Sequence, residues 1–297
     1  MKYLTSKEIA KIWNVSERSV RNYCAQGRVK GAYLEGKTWL ILEDSAMPER
    51  LIRHVVKKRC LLDVLKEEKE NKISGGIYHK LQIDLTYNSN HMEGSKLTHD
   101  QTRYIFETKT IGVTDTPINI DDLVETINHF SCVDLAIELA NAKLTESLIK
   151  QFRYILKTGT SDAKKPWFKV GNYKMLPNEA GGMDTTKPED VSFKMKELLV
   201  SYHMKRDIKV EDIIEFHKQF EEIHPFQDGN GRVGRLIMFK ECLKHNIVPI
   251  LILDEYKMYY YRGLKEWYNE KGYLIDTCLN GQDIVKKYLD YFKIDYE

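Results

Sequence analysis

The 297-residue sequence contains no apolar run near the ~18 residues that a membrane-crossing helix needs, so no membrane partner is expected. Its first residues, MKYLTSKEIAK, carry charge where a secretory leader would be apolar, so export is not expected either. Cysteine is scarce. Cys24, Cys60, Cys132, Cys242 and Cys278 are odd in number, scattered and never spaced CxxC. That pattern excludes a disulfide frame and a zinc knuckle and fits free thiols in a reducing cytoplasm, the expected location. Internal repeats and low-complexity tracts are also lacking.

Neither sign of charge dominates, yet the net charge of +2 conceals an asymmetry. Residues 1–59 hold 13 Lys/Arg against 6 Asp/Glu, and the remainder holds 33 against 38. A basic head on an acidic body predicts that the head alone meets a polyanion, a solvated basic face being the competing account. At 297 residues, with 42% apolar and 30% charged residues, two soluble domains are expected, one of them small.

The head has its own local grammar. Thr5-Ser6-Lys7-Glu8 is a capping box that opens a short helix turning Ile9, Ala10 and Trp13 inward. Asn14-Val15 makes a turn, Ser16 caps a second helix over Glu17–Gln26, and Gly27 ends it. Val29–Tyr33 and Trp39–Ile41, around Gly36, predict a hairpin wing. Domain bounds are expected at 1–48, with a linking helical segment over 49–75 and the larger domain over 76–297. Apolar spacing then predicts helices over Asp121–Ala142, Thr145–Lys157, Pro188–His203, Val210–Ile223 and Gly231–His245, and a further helical stretch over Tyr256–Phe292. Ser161–Thr186 has no helical period and contains Gly171, Pro177, Gly181 and Gly182, so a hairpin or functional loop is expected there. The fold class is therefore mainly α, with one β-hairpin and a small winged helical module in front.

The chemistry concentrates in His224-Pro225-Phe226-Gln227-Asp228-Gly229-Asn230-Gly231-Arg232-Val233-Gly234-Arg235. Pro225 stops the preceding helix and leaves His224 facing a loop. Gly229, Asn230 and Gly231 tolerate backbone shapes that point N–H groups into one concavity at the start of the next helix, where an anion is favoured. Arg232 and Arg235, three apart, share a face of that helix. Two guanidiniums beside a nest of donors describe a polyphosphate cradle. Asp228 offers a hard oxygen suited to Mg²⁺, and His224 has an ordinary pKa suited to a base near neutral pH.

This stretch resembles the Fic motif, HPFx[D/E]GNGRxxR, at every fixed position. The resemblance implies an all-helical domain with one β-hairpin, the flap, which transfers AMP from ATP to a Ser, Thr or Tyr hydroxyl of a target protein. It implies His224 as the base and Asp228 as the Mg²⁺ ligand. It places Gly229, Asn230, Gly231, Arg232, Val233, Gly234 and Arg235 around the triphosphate, the two arginines on its β- and γ-phosphates. Gly231, where the related Doc kinases have Lys, favours nucleotidyl over phosphoryl transfer. The flap falls between Gly171 and Gly182, with Asn178, Glu179, Ala180 and Gly181 over the nucleotide; these residues depart from the usual apolar flap. Tyr260-Tyr261 matches a tyrosine pair that borders adenine in relatives, core packing being the competing account. Tyr268, beside Asn269, stands where many relatives have an adenine-contacting Asn.

Ser89-Asn90-His91-Met92-Glu93-Gly94 is similar to the family's inhibitory motif, [S/T]xxxE[G/N]. It implies that Glu93 pairs with Arg235 and denies it to the γ-phosphate. Residues 1–45 resemble the excisionase/MerR-like helix-turn-helix group. That likeness implies DNA contacts from Arg18, Ser19, Arg21 and Asn22 on the second helix and from Lys30 and Lys37 on the wing. A protein-docking module is the alternative. At the level of the whole chain, the competing functions are a DNA-binding regulator whose Fic domain senses nucleotide, an enzyme using another nucleotide donor, and removal of AMP with Glu93 orienting water. A second copy of the chain is a further candidate partner.

Overall fold

The computed structural model describes residues 2–49, 59–112 and 117–296. The chain divides into two compact units, Met1–Lys57 and Lys58–Glu297.

In the first unit, β1 (Tyr3–Thr5) leads into α1 (Ser6–Ile12), followed by α2 (Glu17–Ala25), β2 (Tyr33–Glu35) and β3 (Thr38–Leu42). The Thr5–Glu8 capping box forms, and the Ser16 side chain caps α2 by accepting from Ser19 N. Three antiparallel strands run in the order β1-β3-β2. Strand β1 has no counterpart in the sequence reading, because three residues are too short to display an alternating pattern. The wing begins later than expected. Gly31, at φ +76°, turns the chain after Val29, and Val29 joins the core with Ile9, Ala10, Val20, Cys24 and Ile41 instead of pairing as a strand.

The second unit contains, among its described residues, α3 (Leu61–Glu70), α4 (Ile77–Met92), α5 (His99–Thr108), α6 (Ile120–Glu138), α7 (Glu146–Lys157), the hairpin β4 (Glu179–Ala180) and β5 (Met183–Asp184), α8 (Pro188–Met204), α9 (Val210–Ile223), α10 (Asn230–Lys244), α11 (Lys257–Lys265) and α12 (Gly272–Phe292). The segment read as a linker helix lies partly outside the described residues, at 50–58. The rest of its helical content is α3, whose Leu61, Leu62 and Leu65 are buried in the main core beside Ile77 and Leu81 of α4.

Helix α10 is the axis of this unit. Residues 232–243 are all buried, and α4, α6, α7 and α9 pack around it. A helix enclosed on every side carries its polar residues into the interior, so Arg232, Arg235, Lys240 and Glu241 must each find partners there. None of the helices among the described residues is long and apolar enough to cross a membrane.

Candidate active site

The loop between α9 and α10 is fixed by its own backbone. His224 terminates α9 in the left-handed region, at φ 48° and ψ 60°, with its N–H donating to Phe220 O at 2.9 Å. Phe226 is fully buried and anchors the loop in the core. Asn230 closes it from the other side. Its Oδ1 accepts from Phe226 N and its Nδ2 donates to Phe226 O, both at 2.8 Å. The Asn230 side chain is thus committed to bracing the loop. Gly229 is the N-cap of α10, at φ +78°. Val233 faces the core, and a Cβ on Gly234 would come within 2.6 Å of Glu221 Oε1 and 2.8 Å of His217 Nδ1. Gly234 therefore permits close approach of α9 to α10.

The two arginines are both buried and both already engaged. Arg235 Nη2 donates to Glu93 Oε1 at 2.7 Å and to Ser89 O at 3.0 Å, while its Nε donates to Ser89 Oγ at 3.0 Å. Ser89 lies in the last turn of α4, Glu93 is that helix's C-cap, and Gly94 leaves it at φ +99°. Burial disfavours the charge on Arg235, but Glu93, with Tyr260 and Glu221, outweighs it and raises its pKa. Arg232 is paired with Glu125 of α6, approaches Asp228 Oδ2 at 3.6 Å and reaches Asn90 Oδ1 at 3.5 Å.

Asp228 Oδ2 also accepts an ion pair from Lys157 at 2.5 Å. Burial works against the Asp228 carboxylate, yet Arg232 and Lys157 outweigh it and hold its pKa well below the ordinary value. The His224 imidazole is held neutral, its pKa lowered first by burial and then by the Lys174 cation. Its Nδ1 is buried without a hydrogen bond, 4.0 Å from Glu221 Oε2. Burial lifts the Glu221 carboxyl to about 8, against the pull of Arg235.

A hairpin forms where one was expected, with Gly181 and Gly182 both at positive φ in its turn. The segment leading into it is stapled to the α9–α10 loop at three points. Lys174 N donates to Pro225 O at 2.8 Å, Leu176 N to Gln227 Oε1 at 3.3 Å and Asn178 Nδ2 to Phe226 O at 3.0 Å. The Lys174 ammonium, buried so that its pKa drops to about 8, donates to Asn178 Oδ1 and Thr185 Oγ1, both at 2.6 Å. Glu179 is exposed, Ala180 half-buried and Gly181 exposed.

The tyrosine pair divides. Tyr260 is buried, its hydroxyl 2.6 Å from His217 Nε2 and its ring 5.9 Å from the Arg235 guanidinium. Tyr261 is exposed and donates to Met92 O at 3.2 Å. Tyr268 is exposed and donates to Glu222, and Asn269 bonds to Glu266. In the separate first unit, Arg18, Arg21, Asn22, Lys30 and Lys37 are exposed and Ser19 is half-buried. Arg21 pairs with Glu17 at 2.9 Å, and Ser19 Oγ lies 2.9 Å from Ser16 Oγ.

Sequence reasoning missed Glu125, Arg153, Lys157, Lys174, His217 and Glu221. One signal was legible: Ile149, Arg153 and Lys157 fall four apart, so two cations lie on the apolar stripe of α7. The structure buries both against this loop. Arg153 lies 3.7 Å from where a Gly229 Cβ would be, with its pKa brought down by burial to about 10.

Residues 143–242 match the model of the Fic/DOC family. The chain is 29% identical over 235 residues to a protein adenylyltransferase Fic of Drosophila persimilis and 28% identical over 236 residues to that of Drosophila melanogaster, in each case over 74% of this chain. It spans 42% and 44% of the length of those curated relatives. A Fic domain containing signaling protein of Bacteroides thetaiotaomicron aligns at a TM-score of 0.59 with 25% identity, over 77% of this chain and 90% of that one. Fic-1 of Caenorhabditis elegans aligns at 0.58 with 17% identity, over 78% of this chain and 72% of that one, a likeness of fold alone.

Proposed function

We propose, proceeding from a chain that carries a Fic domain over residues 143–242, that it is an autoinhibited protein adenylyltransferase moving AMP from ATP to a Ser, Thr or Tyr hydroxyl of a target protein. The observation that carries this reading is the contact of Glu93 and Ser89 with Arg235 at one end of a loop that has a neutral, buried His224 at the other. A neutral imidazole can accept the hydroxyl proton. The hydroxyl oxygen then forms its bond to the α-phosphorus, the bond from α-phosphorus to the bridging oxygen breaks, and pyrophosphate leaves. Arg235 is the γ-phosphate's partner only after Glu93 releases it. The flap, stapled to the loop by Lys174, Leu176 and Asn178, would align the target by strand addition.

Asp228 fits a Mg²⁺ site of one kind only. Its carboxylate is kept ionised and 43% exposed, and no group of three or more His, Cys, Asp or Glu among the described residues could hold an ion unaided. One carboxylate completed by substrate phosphates and water is an ordinary Mg²⁺ arrangement. A bound Mg²⁺ would neutralise phosphate charge as pyrophosphate departs.

A second function is supported by the first unit. Its two helices and three-stranded sheet present Arg18, Arg21, Asn22, Lys30 and Lys37 to solvent, which suits duplex DNA. The enzymatic reading is tested by incubating the whole chain with each α-labelled nucleoside triphosphate and Mg²⁺. Label should enter protein from ATP and be lost in His224→Ala. Label retained by that variant would remove His224 from the mechanism, and label from another nucleotide alone would change the donor.

A further inference from the structure

Four charged side chains from four segments close a ring beside the loop. Lys157, at the end of α7, pairs with Asp228 at 2.5 Å and with Glu125 of α6; Glu125 pairs with Arg232 of α10; and Arg232 returns to Asp228 at 3.6 Å. A third carboxylate, Asp162, lies 3.6 Å from the same ammonium. The Lys157 side chain is only 4% exposed, so it cannot leave for solvent without exposing these acids to one another. Arg232 is fixed from both sides, but Lys157 sits where three carboxylates converge.

We propose that Lys157 is a resident counter-cation of Asp228 that a divalent metal must displace, so that this lysine sets the metal affinity of the site. This rests on Asp228 being the metal ligand. The carboxylates of Glu125, Asp162 and Asp228 all face the Lys157 ammonium, which already occupies the place beside Asp228 Oδ2 at 2.5 Å. A divalent ion on Asp228 Oδ2 would stand within a few ångströms of the ammonium, a repulsion that low local dielectric makes severe. The ammonium must then withdraw toward Glu125 and Asp162. Lys157 is on this account a positioning residue: it holds Asp228 ionised and oriented until the metal arrives.

Its removal by Lys157→Met should take away the positive charge that competes with a divalent ion at Asp228 and tighten divalent binding about tenfold or more. The test follows free Mn²⁺ by electron paramagnetic resonance during titration of the full chain, without nucleotide and so without turnover. Lys157→Met should bind Mn²⁺ more tightly than the parent, and the gain should disappear in Lys157→Met/Asp228→Asn. Lys157→Gln, which retains a hydrogen bond without the charge, serves in the same role if the methionine variant does not fold. Equal Mn²⁺ binding by the parent and the folded neutral variants, including no binding by any of them, overturns the proposal. If the neutral variants gain affinity that Asp228→Asn does not remove, Asp228 is not the ligand and the proposal fails with that reading. If Asp228→Asn weakens Mn²⁺ binding while the neutral variants match the parent, the ligand stands and Lys157 alone is excluded.

Discussion

Ser89 holds Arg235 twice: its Oγ accepts from Nε and its main-chain carbonyl accepts from Nη2, both at 3.0 Å. The C-terminal end of α4 therefore grips the guanidinium with backbone and side chain as well as with the Glu93 carboxylate. Ser89→Ala removes one of these bonds, a net contribution of about 1 kcal/mol. It should raise protein labelling roughly fivefold, by the rule of ~1.4 kcal/mol per factor of ten. Measured initial rates with labelled ATP check this; an unchanged rate would make Ser89 a purely structural helix residue.

Glu221 should impose a pH dependence on stability. Its folded pKa is about 8 against an ordinary 4.5, because burial disfavours the carboxylate. Between those values the native state holds a proton that the unfolded chain has released, so stability falls as pH rises through that window. Glu221→Gln keeps the neutral shape and should flatten the fall, with a Tm higher than the parent by several degrees at about pH 8.5 and little changed at about pH 5. Calorimetry at the two pH values checks it; parallel melting curves would show that Glu221 ionises without cost in the native state.

Lys174 should govern the flap. With its ammonium on Asn178 and Thr185 and its N–H on Pro225, it connects the hairpin to the α9–α10 loop. Lys174→Met should loosen residues 175–185, seen as faster amide exchange there, and raise KM for the protein target more than KM for ATP. Unaltered exchange would mean that Asn178 and Leu176 alone fix the hairpin.

The first unit should bind duplex DNA with an affinity that falls as salt rises, since phosphate contacts release counterions. Arg21 and Glu17 form an exposed pair of little strength, so Arg21 remains available to a base edge. Arg21→Ala in the full chain should lose sequence discrimination by about 1–3 kcal/mol while general affinity persists. Fluorescence anisotropy with any duplex that binds the parent checks this; no complex at low salt would favour a protein-docking role.

Legibility in the sequence followed locality. The loop from His224 to Arg235 and the helix end from Ser89 to Gly94 are short, contiguous patterns, and the structure brings Glu93 to Arg235 across 142 residues. The helix expected over Val210–Ile223 forms with those bounds, though His217 and Lys218 are buried beside its apolar residues. The charge ring of Glu125, Lys157, Asp228 and Arg232 was not readable, because each member looks alone like an ordinary charged residue and only packing of α6, α7 and α10 assembles them. Two accounts of Tyr260-Tyr261 fitted the sequence equally. In the structure Tyr260 is buried on His217 and Tyr261 exposed, a difference set by which face of α11 meets the core.

Comparing protein labelling by Glu93→Gly with the parent at equal Mg·ATP tests the central claim most directly. Glu93 accepts a charge-assisted hydrogen bond worth ~1.5–3 kcal/mol from Arg235, the residue proposed to receive the γ-phosphate. Its loss should raise labelling about tenfold or more. Arg235→Ala should abolish the gain, and the double variant should behave as Arg235→Ala alone. If Glu93→Gly, folded by circular dichroism, labels no more protein than the parent, the Glu93–Arg235 pair does not restrain the enzyme and the autoinhibited reading is wrong.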